Sequence, residues 1–163
     1  MPAPGGGAGW QATGMTSWRQ FTDEAPELAA TVRDRFSVRK HCTLATLRAD
    51  GSPRISGSEV EFSDGEMWLG SMARARKALD LRRDPRMALH SPSVDPPEHD
   101  PTRWGGEAKV SGRAVEVGDA GGGDGSHRFR LDIEEVVFTR VEGNGLLIDS
   151  WHPGRGVQQH VRS

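Results

Sequence analysis

The chain has 163 residues, enough for one domain with a real core and too few for two of ordinary size. Its net charge is −2, from 21 basic and 23 acidic residues, so no global basic field directs it to nucleic acid or to an anionic membrane surface. A single cysteine, Cys42, excludes an intrachain disulfide, and no apolar run reaches the length of a membrane span or a secretory signal core; a reducing cytoplasm is the expected compartment.

Met1 to Gly14 is rich in Gly, Ala and Pro, and residues 1–20 are expected to form a disordered leader ahead of one domain over residues 21–163, with Met15 a second candidate start. Glu24 to Phe36 reads as a helix. Pro26 stands near its start, acids occupy the opening turn, and Leu28, Val32 and Phe36 recur every fourth residue. Thr43 to Arg48 is a predicted strand, Ala49-Asp-Gly51 a hairpin turn, and Ser52 to Phe62 a longer partner strand ending at Ser63-Asp-Gly65. His41 and Cys42 are neighbours at the strand start, but side chains alternate faces along a strand, so no Cys–His nucleophile is assigned. Glu66 to Gly70 completes the meander.

Gly70-Ser-Met-Ala-Arg-Ala-Arg-Lys-Ala-Leu-Asp-Leu-Arg-Arg-Asp-Pro85 then carries a strand end through a small-residue turn into a basic helix that Pro85 stops. A helix start presents unpaired N–H groups and a partial positive charge, and Arg74, Arg76 and Lys77 cluster at that end. Such cations oppose the helix dipole, so their clustering makes most sense with an anion present; a solvated basic face is the alternative reading.

Arg86 to His90 is a short strand, and four prolines make Ser91 to Thr102 a long exposed loop. Glu107 to Val117 is a strand with a bulge at Gly112, and Gly118 to Ser126 a flexible connection. Arg128 to Val141 places Phe129, Leu131 and Ile133 at period two, Gly143-Asn-Gly145 turns, and Leu146 to Trp151 is the expected last strand. Turn signals about every dozen residues favour an antiparallel barrel or sandwich.

Thr43-Leu-Ala-Thr-Leu47, Asp50-Gly-Ser-Pro53, Asp64-Gly65, Arg76-Lys77, Leu81 and Asp84-Pro-Arg86 follow in the order that resembles the pyridoxamine 5′-phosphate oxidase-like family of flavin- or deazaflavin-binding barrels, over Arg39 to Trp151. The resemblance implies a mainly β protein with flanking helices, a six- to seven-stranded antiparallel split β-barrel. It implies that Arg76 and Lys77 hold a cofactor phosphate, with Ser71 and the Met72 backbone completing the cradle and Arg54 nearby. The cofactor ring is implied to lie along Ser56, Gly57, Ser58, Glu59 and Val60. Gly57 and Ser58 carry little bulk and would let a flat ring approach the backbone; a strand bulge at Gly57 is the alternative.

Three departures argue against authentic vitamin B6 oxidase activity. Glu59 stands where the oxidase carries a Lys, the stretch between Asp64-Gly65 and Arg76-Lys77 is about one residue longer, and Ser150-Trp-His-Pro-Gly-Arg155 replaces an Arg-rich substrate signature. The expected function is therefore an oxidoreductase using FMN or the deazaflavin F420 on another small molecule, with a nicotinamide as donor. Arg82, Arg83, Arg86 and Arg103 could extend a basic track for the longer acidic tail of F420, although FMN is the first reading. A non-catalytic flavin, F420 or haem binding or sensing protein, using Glu59 or His90, is the alternative. No metal site and no catalytic residue are assigned; His90 and His152 are the acid–base candidates. A nucleic-acid role is not expected, because no aromatics interleave with the basic run. A homodimer is expected, with Trp104 and Trp151 donated across the interface as apolar cover.

Overall fold

A computed structural model describes residues 14–118 and 123–163. Two helices come first, α1 (Trp18–Glu24) and α2 (Pro26–Ser37). The chain continues through β1 (Cys42–Leu47), β2 (Pro53–Ser58), β3 (Val60–Ser63), β4 (Glu66–Ser71), α3 (Arg76–Arg83), β5 (Arg86–His90) and a 3₁₀ turn, Pro101–Arg103. Four long strands finish it: β6 (Glu107–Glu116), β7 (His127–Glu142), β8 (Gly145–His152) and β9 (Gly156–Arg162).

α1 falls partly inside the segment expected to be a leader. The Ser17 hydroxyl accepts from Gln20 N at 3.0 Å and caps the helix, Trp18 and Phe21 are buried in the core, and Thr16 is tied to β7 by a 3.0 Å bond from Ile133 N to its carbonyl. The ordered domain therefore starts before residue 21; residues 1–13 lie outside those described, as do 119–122 of the expected flexible connection.

The long strand expected over Ser52 to Phe62 is two strands that break at Glu59. β2 pairs with β1, from Leu47↔Pro53 to Cys42↔Ser58, whereas β3 pairs with β4. The main sheet runs β2-β1-β5-β6-β7-β4-β3, so its two outermost strands are neighbours in the chain. With Glu59 alone between them, the sheet must curl until its ends meet, and no ladder joins those ends among the described residues. The result is an antiparallel split β-barrel. Its main path has seven strands, as expected, but the sheet has nine, because β8 and β9 extend from β7 beyond the barrel.

Gly112 marks the expected bulge, with the extra residue on its partner: Ser111 pairs with Glu135 and Gly112 with Ile133, leaving Glu134 over. That single insertion reverses the alternation of β7, so Phe129, Leu131 and Ile133 and then Val136 and Phe138 all face the core. A Cβ on Gly112 would stand 2.0 Å from the Asp132 carbonyl oxygen, so glycine is required by close approach. α1 and α2 cover one side of the sheet, where Phe21 packs on Trp151 at 4.7 Å between ring centroids. α3 packs on β1 and β6, burying Ala78, Asp80 and Leu81.

Candidate functional site

The turn from β4 into α3 passes through Arg74 at φ +60°, a left-handed conformation unfavourable for a residue with a side chain. α3 then starts at Arg76 with Ala75 as its N-cap, and no side chain caps it. Beside it lies a cleft of about 340 Å³ lined by Arg48, Arg54, Arg76 and Arg83 with Asp50 and Asp80, four guanidinium groups against two carboxylates. At the junction where an anion site was expected, uncapped helix N–H groups stand beside surplus positive charge.

Asp80 organises this cleft, and sequence reasoning missed it. Its carboxylate is 2% exposed and accepts from Thr46 Oγ1 at 2.8 Å, Arg54 Nε at 2.6 Å and Arg83 Nη2 at 3.0 Å. Burial pushes the Asp80 carboxyl up, but the hydrogen bonds from Arg54, Thr46 and Arg83 outweigh it and hold the group below the ordinary aspartate range. Arg54 spends only Nε on Asp80, which leaves its two Nη groups for another acceptor. The signal was present in Arg76-Lys-Ala-Leu-Asp-Leu-Arg-Arg83, where one acid sits between the apolar residues of a basic helix.

Lys77 reaches the other way. Its Nζ donates to the Gly57 carbonyl at 2.7 Å, joining the start of α3 to β2. Ser71 is half-buried and Met72 is 81% exposed in the same turn. On β2 the faces alternate: Arg54, Ser56 and Ser58 turn inward, and Ile55 and Gly57 turn outward. Ser58 is buried, whereas Val60 is partly buried against the core and, with Glu59, Trp68 and Arg128, lines a separate cleft of about 280 Å³. The pairing through Thr43↔Gly57 is regular, so Gly57 is not a bulge, and a Cβ there would meet open space.

Outward residues of β2, β1, β5 and β6 form a shallow groove of about 360 Å³, lined mainly by Thr43, Ala45, Ile55, Ala88, His90 and Lys109. Its floor of small side chains is flat, and Ile55, 76% exposed, stands at one side. His90 is held between the Ser91 carbonyl, 2.7 Å from Nδ1, and Glu107 Oε2, 3.0 Å from Nε2. Glu59 sits at the strand break, about half exposed, within 3.2 Å of His41 and 3.6 Å of Lys40. His152 is paired with Glu135 at 2.8 Å, away from the groove's lining.

One expectation is corrected. Trp151 is fully buried against Phe21, with its Nε1 donating to Glu24 at 3.2 Å, so it belongs to the protein's own core and cannot cover a partner. Trp104 is only half-buried, after the 3₁₀ turn. Of the arginines read as one possible basic track, Arg82 pairs with Glu116 at 2.9 Å, Arg83 with Asp80 at 3.0 Å, and Arg86 with Asp84 at 2.6 Å, holding that carboxyl down at about 2.

The fold and this site define a class, an antiparallel split β-barrel with a basic, uncapped helix start tied to the strand that borders an apolar groove. Residues 28–139 match the model of the Pyridoxamine 5'-phosphate oxidase family, and the chain belongs to that family. No curated protein matches it. Among solved structures it is similar to PhzG from Burkholderia lata 383 in complex with tetrahydrophenazine-1-carboxylic acid, at 13% identity and TM-score 0.60 over 88% of this chain and 91% of that one. It is also similar to the heme binding protein from Mycobacterium smegmatis, at 21% identity and TM-score 0.57 over 76% of this chain and 58% of that one. The conserved hypothetical protein Rv2991 from Mycobacterium tuberculosis matches at 21% identity and TM-score 0.55, over 77% of this chain and 84% of that one. At these identities the likeness is one of fold. No helix among the described residues is long and apolar enough to cross a membrane.

Proposed function

We propose that the protein is an FMN-dependent oxidoreductase acting on a small molecule other than pyridoxamine phosphate. The observation that carries this reading is the Lys77 Nζ bond to the Gly57 carbonyl, which ties the basic start of α3 to β2 at the residue paired with Thr43 of the outer groove. Arg76, the Nη groups of Arg54 and the uncapped N–H groups of α3 suit a phosphate monoester, with Lys77 the next residue of α3 and the Ser71–Met72 backbone in the chain that leads into it. Gly57, which carries no Cβ, and Thr43 and Ala45 of the groove would hold a planar ring. When bound, a flavin supplies the hydride or electron transfer; this chain's residues bind it, orient it and exclude water from one ring face.

The engaged state of Arg82, Arg83 and Arg86 supports FMN over the longer acidic tail of F420. Haem is less well supported, because both ring nitrogens of His90 are held by Ser91 and Glu107, leaving neither for iron. A second copy of the chain covers the groove in this reading. Ile55 replaces Trp151 as its apolar anchor, since a large exposed aliphatic residue beside a flat apolar floor is what an interface core requires. The test is the absorption spectrum of protein purified from its own host, followed by mass identification of the released chromophore. FMN is expected; a deazaflavin or haem overturns the cofactor assignment, and colourless protein that takes up none of the three overturns the reading.

A further inference from the structure

β9 gives the sheet an open edge. Among the described residues it pairs only with β8, in an unbroken register from Leu146↔Arg162 to His152↔Gly156, and the backbone N–H and C=O groups along its far side face no other strand. Proteins ordinarily block such an edge with Pro, Lys, a bulge or a covering element, because any strand that reaches it can pair with it. β9, Gly156-Val-Gln-Gln-His-Val-Arg162, carries no Pro, no Lys and no register shift, and it is exposed from Val157 to Arg162.

Val157, Gln159 and Val161 share one face, on which their β8 partners Trp151, Asp149 and Leu147 are buried. That face therefore runs outward from the core to two uncovered valines at its rim, 43% and 74% exposed. The strand is also its own complement. Laid antiparallel against a second β9 about a two-fold axis at Gln159, Val157 faces Val161 of the second copy, Val161 faces its Val157, and Gln159 faces its counterpart. On the other face Gln158 meets His160 and Arg162 meets Gly156, so no like charges are opposed. With the axis at Gln158 or His160 instead, the valines no longer face each other, and at His160 two imidazoles do.

We propose that β9 is a self-association surface, through which two copies of the chain join edge to edge and continue the antiparallel sheet from one molecule into the other. Backbone hydrogen bonds supply the contact, and the two Val157–Val161 pairs fix its register. Seven residues from each copy bury less than the roughly 1,200 Å² at the lower end of stable interfaces. The contact is therefore weak, populated at about 100 µM and not at the micromolar concentrations at which an interface at Ile55 is read. It uses no residue of the α3 cleft or the outer groove.

The test is disulfide trapping in the full chain. Directly opposed Cα atoms of an antiparallel pair lie about 4.5–5.5 Å apart, within disulfide reach, whereas diagonal neighbours lie at about 7–8 Å. In oxidised glutathione at about 100 µM protein, quenched with N-ethylmaleimide before a non-reducing gel, Gln159→Cys should form covalent dimer at least about tenfold faster than Gln158→Cys. Cys42, 5% exposed, stays out of the reaction. The double variant Val157→Lys, Val161→Lys sets lysine against lysine at exposed positions where the fold is expected to survive. It should abolish the rise in weight-average mass that wild type shows in sedimentation between about 1 and 300 µM, and mixing it with Val157→Glu, Val161→Glu should restore that rise. Equal trapping at the two positions, faster trapping at Gln158→Cys, a wild-type mass that does not change with concentration, or association indifferent to the lysines would overturn the proposal.

Discussion

Replacing Asp80 with alanine is expected to unsettle the whole α3 junction. The substitution removes one acceptor from Thr46, Arg54 and Arg83 together, and Arg54 is left with its side chain only 20% exposed. Breaking a buried ion pair by deleting one partner costs about 3–5 kcal/mol. Arg83 is 43% exposed and regains water, which discounts its share, so a loss of about 2–4 kcal/mol is expected. Urea denaturation followed by tryptophan fluorescence reads this directly; at a slope of about 1–3 kcal/mol per molar, the midpoint falls by roughly 1–2 M. The pH dependence gives a second reading. The folded Asp80 carboxyl lies below its ordinary value, so its contribution is fully present above about pH 4 and is lost as pH falls through the folded-state value. The gap between wild type and Asp80→Ala therefore narrows on acidification. A loss under about 1 kcal/mol at neutral pH, or a gap that stays constant into acid, would refute the account of Asp80 as the anchor of this cleft.

Cys42 is 5% exposed and its thiol is pushed up to about 11 chiefly by burial, so it should resist iodoacetamide at pH 7.5 in the folded protein and react fully in urea; rapid labelling of folded protein would contradict that placement. Ile55→Asp should convert the proposed dimer to monomer in sedimentation velocity at micromolar concentration with an unchanged circular dichroism spectrum, and a persistent dimer would move the interface elsewhere. Gly112→Ala should lower stability by more than about 2 kcal/mol, because its Cβ would overlap the Asp132 carbonyl; a neutral effect in thermal unfolding would mean that the bulge relaxes freely.

Much of this architecture is legible in local chemistry. Asp50-Gly51 and Asp64-Gly65 mark hairpins, Pro85 stops α3, and Phe129-x-Leu131-x-Ile133 declares a strand with one face in the core. Where reading failed, the deciding force was tertiary. Nothing in Ser52 to Phe62 says that the strand must change partners at Glu59, because that break follows from the sheet curling on itself. α1 is only one residue longer than six and lies beside a Gly- and Ala-rich tract, yet Ser17-Trp-Arg-Gln20 is a capping signature that could have located it. β9 is exposed along nearly its whole length and so carries no alternation to read. At the site, Arg76, Lys77 and Arg54 were legible as basic residues near a helix start, but Asp80, which fixes Arg54, and Ile55, which faces outward, were not. Alternation places Ile55 outside the barrel only once the register with Ala45 is known.

The most direct measurement of the central claim is a fluorescence titration of apoprotein with FMN, comparing wild type with the Arg76→Ala, Lys77→Ala double variant. Both residues lie at the surface of α3 and add little to the core, so the variant should fold, as circular dichroism will check. A charge-assisted bond from Arg76 to phosphate contributes on the order of 1.5–3 kcal/mol, and its loss together with the Lys77 charge and its tie to Gly57 should weaken FMN binding by at least about tenfold, with riboflavin, which lacks the phosphate, far less affected. Equal FMN affinity in a folded variant and wild type would contradict the assignment and leave α3 as a solvated basic helix.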